Sequence, residues 1–298
     1  MKIKASVGDK AFHIINYTAF TFFALICMYP FYYIIINTIS ANNLVDLGKV
    51  IYYPIGLHFN NYIEIFKLQR IGRAAIISVL RTILGTSLAV LGSAYMGYLF
   101  TKQNMWKRKF WYRFVIITMY FSAGLIPAYM NIKMLGLMNS FWVYIIPGMF
   151  PIYNMVLVKT FMESISPAME ESAQIDGAGY LKCFFSIMLP LSIPILATVA
   201  LFSAVGQWNA WMDTLLYISD YKLFTLQYLL REYFNQAEKV IELQESGIAV
   251  TSKDIERMIT PTAVRLTVTV VATVPIMCIY PFIQRYYIKG VMIGAVKG

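Results

Sequence analysis

Few side chains in this sequence could do chemistry, and their types and spacing narrow it quickly. His13 and His58 are the two histidines, and Cys27, Cys183 and Cys278 the three cysteines. None forms a close pair or a cluster, so neither a zinc site nor a disulfide framework is expected. No G-x-x-x-x-G-K-[ST] loop is present to cradle a phosphate. No paired carboxylates lie within an apolar run to act as acid and base, so no catalytic residue, metal or cofactor is assigned to the chain. What remains are groups suited to holding a polar solute. Arg81 is the one charge well inside an apolar run, where a charge is costly unless paired or wetted. It either faces a water-filled cavity, ready for a carboxylate on a solute, or snorkels to the membrane surface about two turns away. Trp208, Asn209, Trp211 and Asp213 cluster at the end of another apolar run. Aromatic faces beside amide and carboxylate groups suit the C–H faces and hydroxyls of sugar rings, and equally suit an interfacial aromatic belt.

One further stretch, residues 170–194, is built to be touched. Ser166 can cap a short helix, Pro167 suits its first turn, and Glu170 and Glu171 sit near the positive end of its dipole. Gly177 offers a stop. A second helical run follows, with Tyr180, Phe184 and Ile187 or Met188 at helical spacing until Pro190, which is expected to break it. The result is a helix-turn-helix on the membrane surface. Its aromatic face needs somewhere apolar to go, either a groove on a partner or the lipid headgroup region.

The elements that must position these groups are membrane spans. The chain has 298 residues, of which 59% are hydrophobic and 13% charged, against about 25% charged in soluble domains. The expected fold is all-α: a polytopic helical bundle with six transmembrane helices, forming one domain over residues 1–298. The first apolar run is too long for a cleavable signal segment and reads as span one, residues 14–37, with Pro30 inside. A polar stretch, 40–73, is expected outside with a short interfacial helix. Span two is 74–100. The cluster Lys102, Lys107, Arg108, Lys109 and Arg113 after it is a positive-inside signal. Spans three (114–131) and four (141–158, bent by Pro147 and Pro151) return the chain to the cytoplasm, which puts the hairpin, 163–190, inside. Span five is 191–211, and an extracytoplasmic loop, 215–262, follows. In that loop residues 226–246 read as an amphipathic helix stopped by Gly247, lying either on the membrane or as a rim for a docking protein. Span six is 266–284, so both termini are cytoplasmic. The net charge of +10 falls largely where topology puts it, with membrane lipid and not nucleic acid as the partner.

Glu171, Ser172 and Ala173, then Gly177 six residues after the Glu, then Ile187, Leu189 and Pro190 resemble the EAA signature of permease subunits of binding-protein-dependent ABC importers. Asp176, Gly177, Ala178 and the later Pro194 resemble its carbohydrate-importer version, with Ser172 in place of the usual first Ala. Gly124-Leu125-Ile126-Pro127, the run from Leu135 to Ser140 and the ending from Tyr280 to Gly298 are similar to the smaller permease of maltose-type importers. The resemblance implies a cell-membrane permease subunit for oligosaccharides, acidic polysaccharide-derived ones included, with no catalysis of its own. It implies a second homologous permease, an extracytoplasmic solute-binding protein, and two cytoplasmic ATPase subunits that hold ATP and Mg. It makes Glu171, Ser172, Ala173, Asp176, Gly177, Ala178, Phe184, Ile187 and Pro190 the ATPase-coupling residues. Glu171 would make polar contacts, Gly177 the turn, and Phe184 with Ile187 the anchor of the second helix. Residues 294–298 would reach the ATPases or fray near anionic lipid. A secondary transporter working without ATPases is the alternative, and such proteins carry ionisable coupling groups near the midplane, for which only Arg81 qualifies here.

Overall fold

The computed structural model describes residues 7–67, 70–245 and 260–295. Among them every regular element is helical and there is no strand. The chain divides into two compact units: residues 1–68 with 232–273, and residues 69–231 with 274–298.

In the first unit, α1 (Val7–Thr38) is a long apolar helix whose end is closed by its own polar side chains. Ser40 Oγ donates to the Ile36 carbonyl (2.6 Å), Thr38 Oγ1 to Ile35 (2.7 Å) and Asn37 Nδ2 to Tyr33 (2.8 Å). The first two of these bonds satisfy carbonyls that a helix end leaves open. The following stretch forms two short helices, α2 (Asn42–Asp46) and α3 (Asn60–Lys67), where one was expected. Buried Asn61 joins them: its amide donates to Thr38 O (2.9 Å) and exchanges hydrogen bonds with Asn42. Ile36, Val45 and Val50 form the small core beneath, with Leu266 packed against it.

The second unit is organised around α4 (Ile71–Thr101). Ala74, Ser78, Arg81, Gly85, Ala89, Ser93 and Gly97 recur three or four apart along its buried face. All but Arg81 are small, and such a stripe lets other backbones approach closely, the usual route to tight helix packing in lipid. At Gly92 a Cβ would meet the Met149 carbonyl and, at 2.9 Å, the Phe150 ring. Helices α7 (Ile152–Met162) and α10 (Ile193–Asn209) are the elements packed most extensively on α4. Asn154 of α7 donates to Ser203 of α10 at 3.1 Å.

Among the described residues three helical stretches are long and apolar enough to cross a membrane: Gly8–Thr38, Ile71–Thr101 and Pro261–Ile279. Counting each of three bent pairs as one span brings the number to as many as six. The expected third span is not continuous. It splits into α5 (Arg108–Tyr120) and α6 (Leu125–Met134), bent by 118°. Pro127 explains the break: it lacks an N–H and is tolerated only in a first turn, so the helix restarts two residues ahead of it. The expected fourth span, Phe141–Gly148 with α7, bends by 45° between Pro147 and Pro151, as those prolines lead one to expect. The amphipathic helix is α12 (Leu226–Glu245), with Leu226, Leu229 and Leu230 buried; Ser246 and Gly247 lie outside the described residues. The sixth apolar helix, α13 (Pro261–Ala295), starts five residues earlier than expected. Residues 296–298 of the tail also lie outside the described residues.

Candidate functional site

The hairpin forms as its residue types dictate. Helix α8 (Ala168–Ile175) carries Glu170 and Glu171 in its first turn. Its cap is Pro167 and not Ser166, whose contribution is a backbone carbonyl accepting from Met169 N–H at 3.2 Å. Gly177 stands at φ +81°, a left-handed conformation that costs other residues about 1–2 kcal/mol. This lets Gly177 N–H reach the Gln174 carbonyl (3.0 Å) and Ala178 N–H the Ala173 carbonyl (2.9 Å), the two bonds of a Schellman end. Helix α9 (Tyr180–Leu191) then runs through a π-type stretch, Phe184–Met188. It passes Pro190 without breaking. The 81° bend comes at Ser192, between Pro190 and Pro194, each of which removes a backbone donor.

Glu171, Ser172, Asp176, Gly177 and Pro190 are exposed, and Ala173, Ala178 and Ile187 are half-buried. Phe184 is placed otherwise than a partner-facing aromatic would be: it is 1% exposed. Its ring lies 5.4 Å from Tyr95 and 5.3 Å from Tyr98, inside a core that includes Ala94, Val158, Met162 and Val199. Phe184 thus anchors the second helix to the chain's own α4. The apolar groups the hairpin does present are Ile175, 86% exposed at the apex, with Leu181 and Phe185. Sequence reasoning missed these. Ile175, two residues before a stop glycine, was the available signal, because an apolar residue at a solvated helix end has no core to enter.

The second constellation gathers around Arg81. It does not snorkel: the residue is 2% exposed. Its Nη1 and Nη2 grip Asp213 Oδ1 (3.1 Å) and Oδ2 (2.5 Å), Nε donates to Gln207 Oε1 (3.0 Å), and Nη1 also donates to the Ala210 carbonyl (3.2 Å). The Tyr144 ring covers one face of the guanidinium, 4.4 Å from centroid to carbon. A bidentate fork of this kind matches carboxylate geometry and neutralises a charge that lipid would otherwise expel. Ala210 lies at the break between α10 and α11 (Met212–Tyr217), where extended backbone frees its carbonyl. Arg81 supplies the donor that the helix no longer does. Gly85, one turn on, makes room: a Cβ there would meet Gln207 Nε2 at 2.6 Å. Tyr144 completes the cluster, its hydroxyl within 3.1 Å of Thr214 Oγ1 and donating to the Leu223 carbonyl at 2.8 Å.

Arg81, Asn154, Ser203, Gln207 and Asp213 line a cavity of about 600 Å³, a size that fits a small solute. Asn209, Trp211 and Asp213 line a second hollow. Trp208 is half-buried and lines neither of these two. One face of Trp211 is taken by the Arg231 guanidinium, 3.9 Å from its centroid. Of the four residues grouped in the sequence, the structure therefore brings Asp213 to Arg81, and Gln207 and Tyr144 are the partners that sequence reasoning passed over. Gly85, on the same helix face as Arg81, was the mark of a large side chain crossing there.

Comparison with known proteins identifies the family. The binding-protein-dependent transport system inner membrane component family matches residues 89–293. The polygalacturonan/rhamnogalacturonan transport system permease protein YtcP of Bacillus subtilis (strain 168) is 34% identical over 292 residues, 97% of this chain and 99% of the relative. Protein LplC of the same organism is 33% identical, over 92% of this chain and 90% of the relative. The fold matches a chain in the crystal structure of a bacterial ABC transporter involved in the import of the acidic polysaccharide alginate. The TM-score is 0.82 at 24% identity, covering 96% of this chain and 100% of that chain. The chain belongs to the binding-protein-dependent transport system inner membrane components, the non-catalytic, multi-pass permease subunits of ABC transporters.

Proposed function

We propose that this chain is one of two membrane permeases of an ATP-driven importer of oligosaccharides, acidic polysaccharide-derived ones included. The substrates named for the polygalacturonan/rhamnogalacturonan permease and for the alginate importer support that class. On this reading residues 1–298 form one permease domain. The hairpin, 163–190, and both termini face the cytoplasm, and the loop 215–262 faces outward, a topology supported by the basic cluster from Lys102 to Arg113. Two ATPase subunits hold ATP and Mg below, a solute-binding protein docks above, and a second permease completes the path. ATP binding draws the ATPases together and moves the hairpin, so that the spans alternate between outward and inward access. Arg81, Trp208, Asn209, Trp211 and Asp213 lie along the solute pathway, with Arg81 acting through Asp213.

The observation that carries the proposal is the hairpin's apex: a left-handed Gly177 turn flanked by exposed Glu171 and exposed Ile175. Burying Ile175 in a partner groove is worth about 1.5–3 kcal/mol. Ile175→Glu is therefore expected to weaken ATPase docking by about 10–100-fold, measured as ATPase subunit retained by the tagged permease in detergent. Gly177→Val, strained in the left-handed region, is expected to lower solute-stimulated ATP hydrolysis while the complex still assembles. Retention of ATPase by Ile175→Glu at the wild-type level would count against this seat for the partner.

A further inference from the structure

We propose that Tyr98, Lys102 and Glu170 form the joint that makes the hairpin and α4 move as one body, with Glu170 as its positioning residue. The inference deepens the reading above, since it concerns how the force applied to that hairpin is passed on. Glu170 and Glu171 are neighbours in α8, about 100° apart around its axis, and have different surroundings. Glu171 is exposed. Glu170 Oε1 accepts from Tyr98 Oη at 2.6 Å, and its Oε2 pairs with Lys102 Nζ. The Lys102 ammonium also sits 3.9 Å from the centroid of the Tyr98 ring.

Tyr98 is the pivot. It is 1% exposed, its hydroxyl also lies 3.2 Å from the Tyr180 carbonyl, and its ring packs on Phe184. One side chain of α4 thus holds the first helix of the hairpin through a hydrogen bond to a carboxylate and the second through an aromatic face. The ion pair is sheltered, with the two side chains 17% and 14% exposed, so solvent and salt weaken it less than a surface pair. Tyr98 and Lys102 are one helical turn apart, which lets both reach the same carboxylate. Farther along the same helix, about 25 Å away at 1.5 Å per residue, Arg81 grips the broken end of α10. A hairpin displacement therefore reaches the Arg81 cluster through a single rod.

The test uses the complete transporter in proteoliposomes, with basal and solute-stimulated ATP hydrolysis read separately. Tyr98→Phe removes one hydroxyl and leaves the packing intact, and Glu170→Gln keeps the shape. Each is expected to lower the stimulated rate about fivefold, the factor of one hydrogen bond, with basal hydrolysis and the yield of assembled complex unchanged. Lys102→Glu combined with Glu170→Lys restores the pair with its charges exchanged and is expected to recover stimulation lost in either single variant. Wild-type stimulation in both Tyr98→Phe and Glu170→Gln, or no recovery in the exchange, overturns the joint. Loss of assembly in Tyr98→Phe also overturns it, because the hydroxyl would then serve folding.

A second readout keeps the joint separable from the transport reading. Spin labels at Leu91→Cys and Ser172→Cys, with Cys27 and Cys278 replaced by serine, report the distance between α4 and the hairpin in the chain alone. Tyr98→Phe is expected to broaden that distance distribution, and an unchanged distribution counts against the joint. A wild-type chain that recruits no ATPase, yet shows this broadening, sinks the functional reading and leaves the joint standing.

Discussion

Asp213→Asn is expected to cost the purified protein about 3–5 kcal/mol of stability, because it strands the Arg81 guanidinium without a counter-charge. The two ends of the pair are not equally sheltered: the Arg81 side chain is 3% exposed and that of Asp213 is 23%. A carboxylate that keeps part of its water tolerates the loss of its partner better than a fully covered cation does. Arg81→Met is therefore expected to cost less than Asp213→Asn. The double change Arg81→Met with Asp213→Leu is expected to recover much of the loss, since a buried pair replaced by apolar groups of similar volume is often neutral. It will not recover all of it. The Ala210 carbonyl and Gln207 Oε1 lose their donor in either background. Thermal unfolding midpoints in lipid nanodiscs give the order. Equal midpoints for wild type and Asp213→Asn would mean that the guanidinium finds water or another anion, and the account of the cluster would fail.

Gly92→Ala is the second large effect expected. In an open helix, alanine for glycine gains about 0.5–1 kcal/mol, so the sign of the change is diagnostic. At Gly92 the new methyl falls on the Met149 carbonyl and the Phe150 ring. A carbonyl at the bend between Gly148 and α7 cannot step aside without moving the whole segment, and overpacking of this kind costs about 1–3 kcal/mol. Gly72→Ala, on the same helix with nothing within 4 Å, is expected to be neutral or slightly stabilising. If both variants melt together, α4 and the 149–150 segment are not in contact as described.

The apolar runs were legible in the sequence because lipid demands long stretches without charge, and nothing else in a chain looks like that. Their interruptions were less so. Pro147 and Pro151 announce a bend, yet Pro127 was read through, because a proline in a first turn and one inside a helix are the same letter. The hairpin's turn was readable from Gly177, since a left-handed residue after a helix favours glycine strongly. Which aromatic points inward was not: Phe184 and Phe185 are adjacent, and only the packing of Tyr95 and Tyr98 decides between them. Arg81 and Asp213 were each singled out, but their union needs the fold, as does the role of Asn139. That residue adopts φ +54° and accepts from the backbone of Ser219 and Asp220 at 3.1 and 2.8 Å, tying the 135–140 turn to the end of α11.

The Arg81 pair also dictates a sequence of events during synthesis. Its members are separated by 132 positions, and a ribosome adding about 5–20 residues per second needs roughly 7 to 26 seconds to make the second after the first. Through that interval the nascent helix bears a lone cation, which costs about 2.5–3.5 kcal/mol at mid-bilayer. Arg81 is thus made before its counter-ion, and it needs shelter from lipid until α11 emerges.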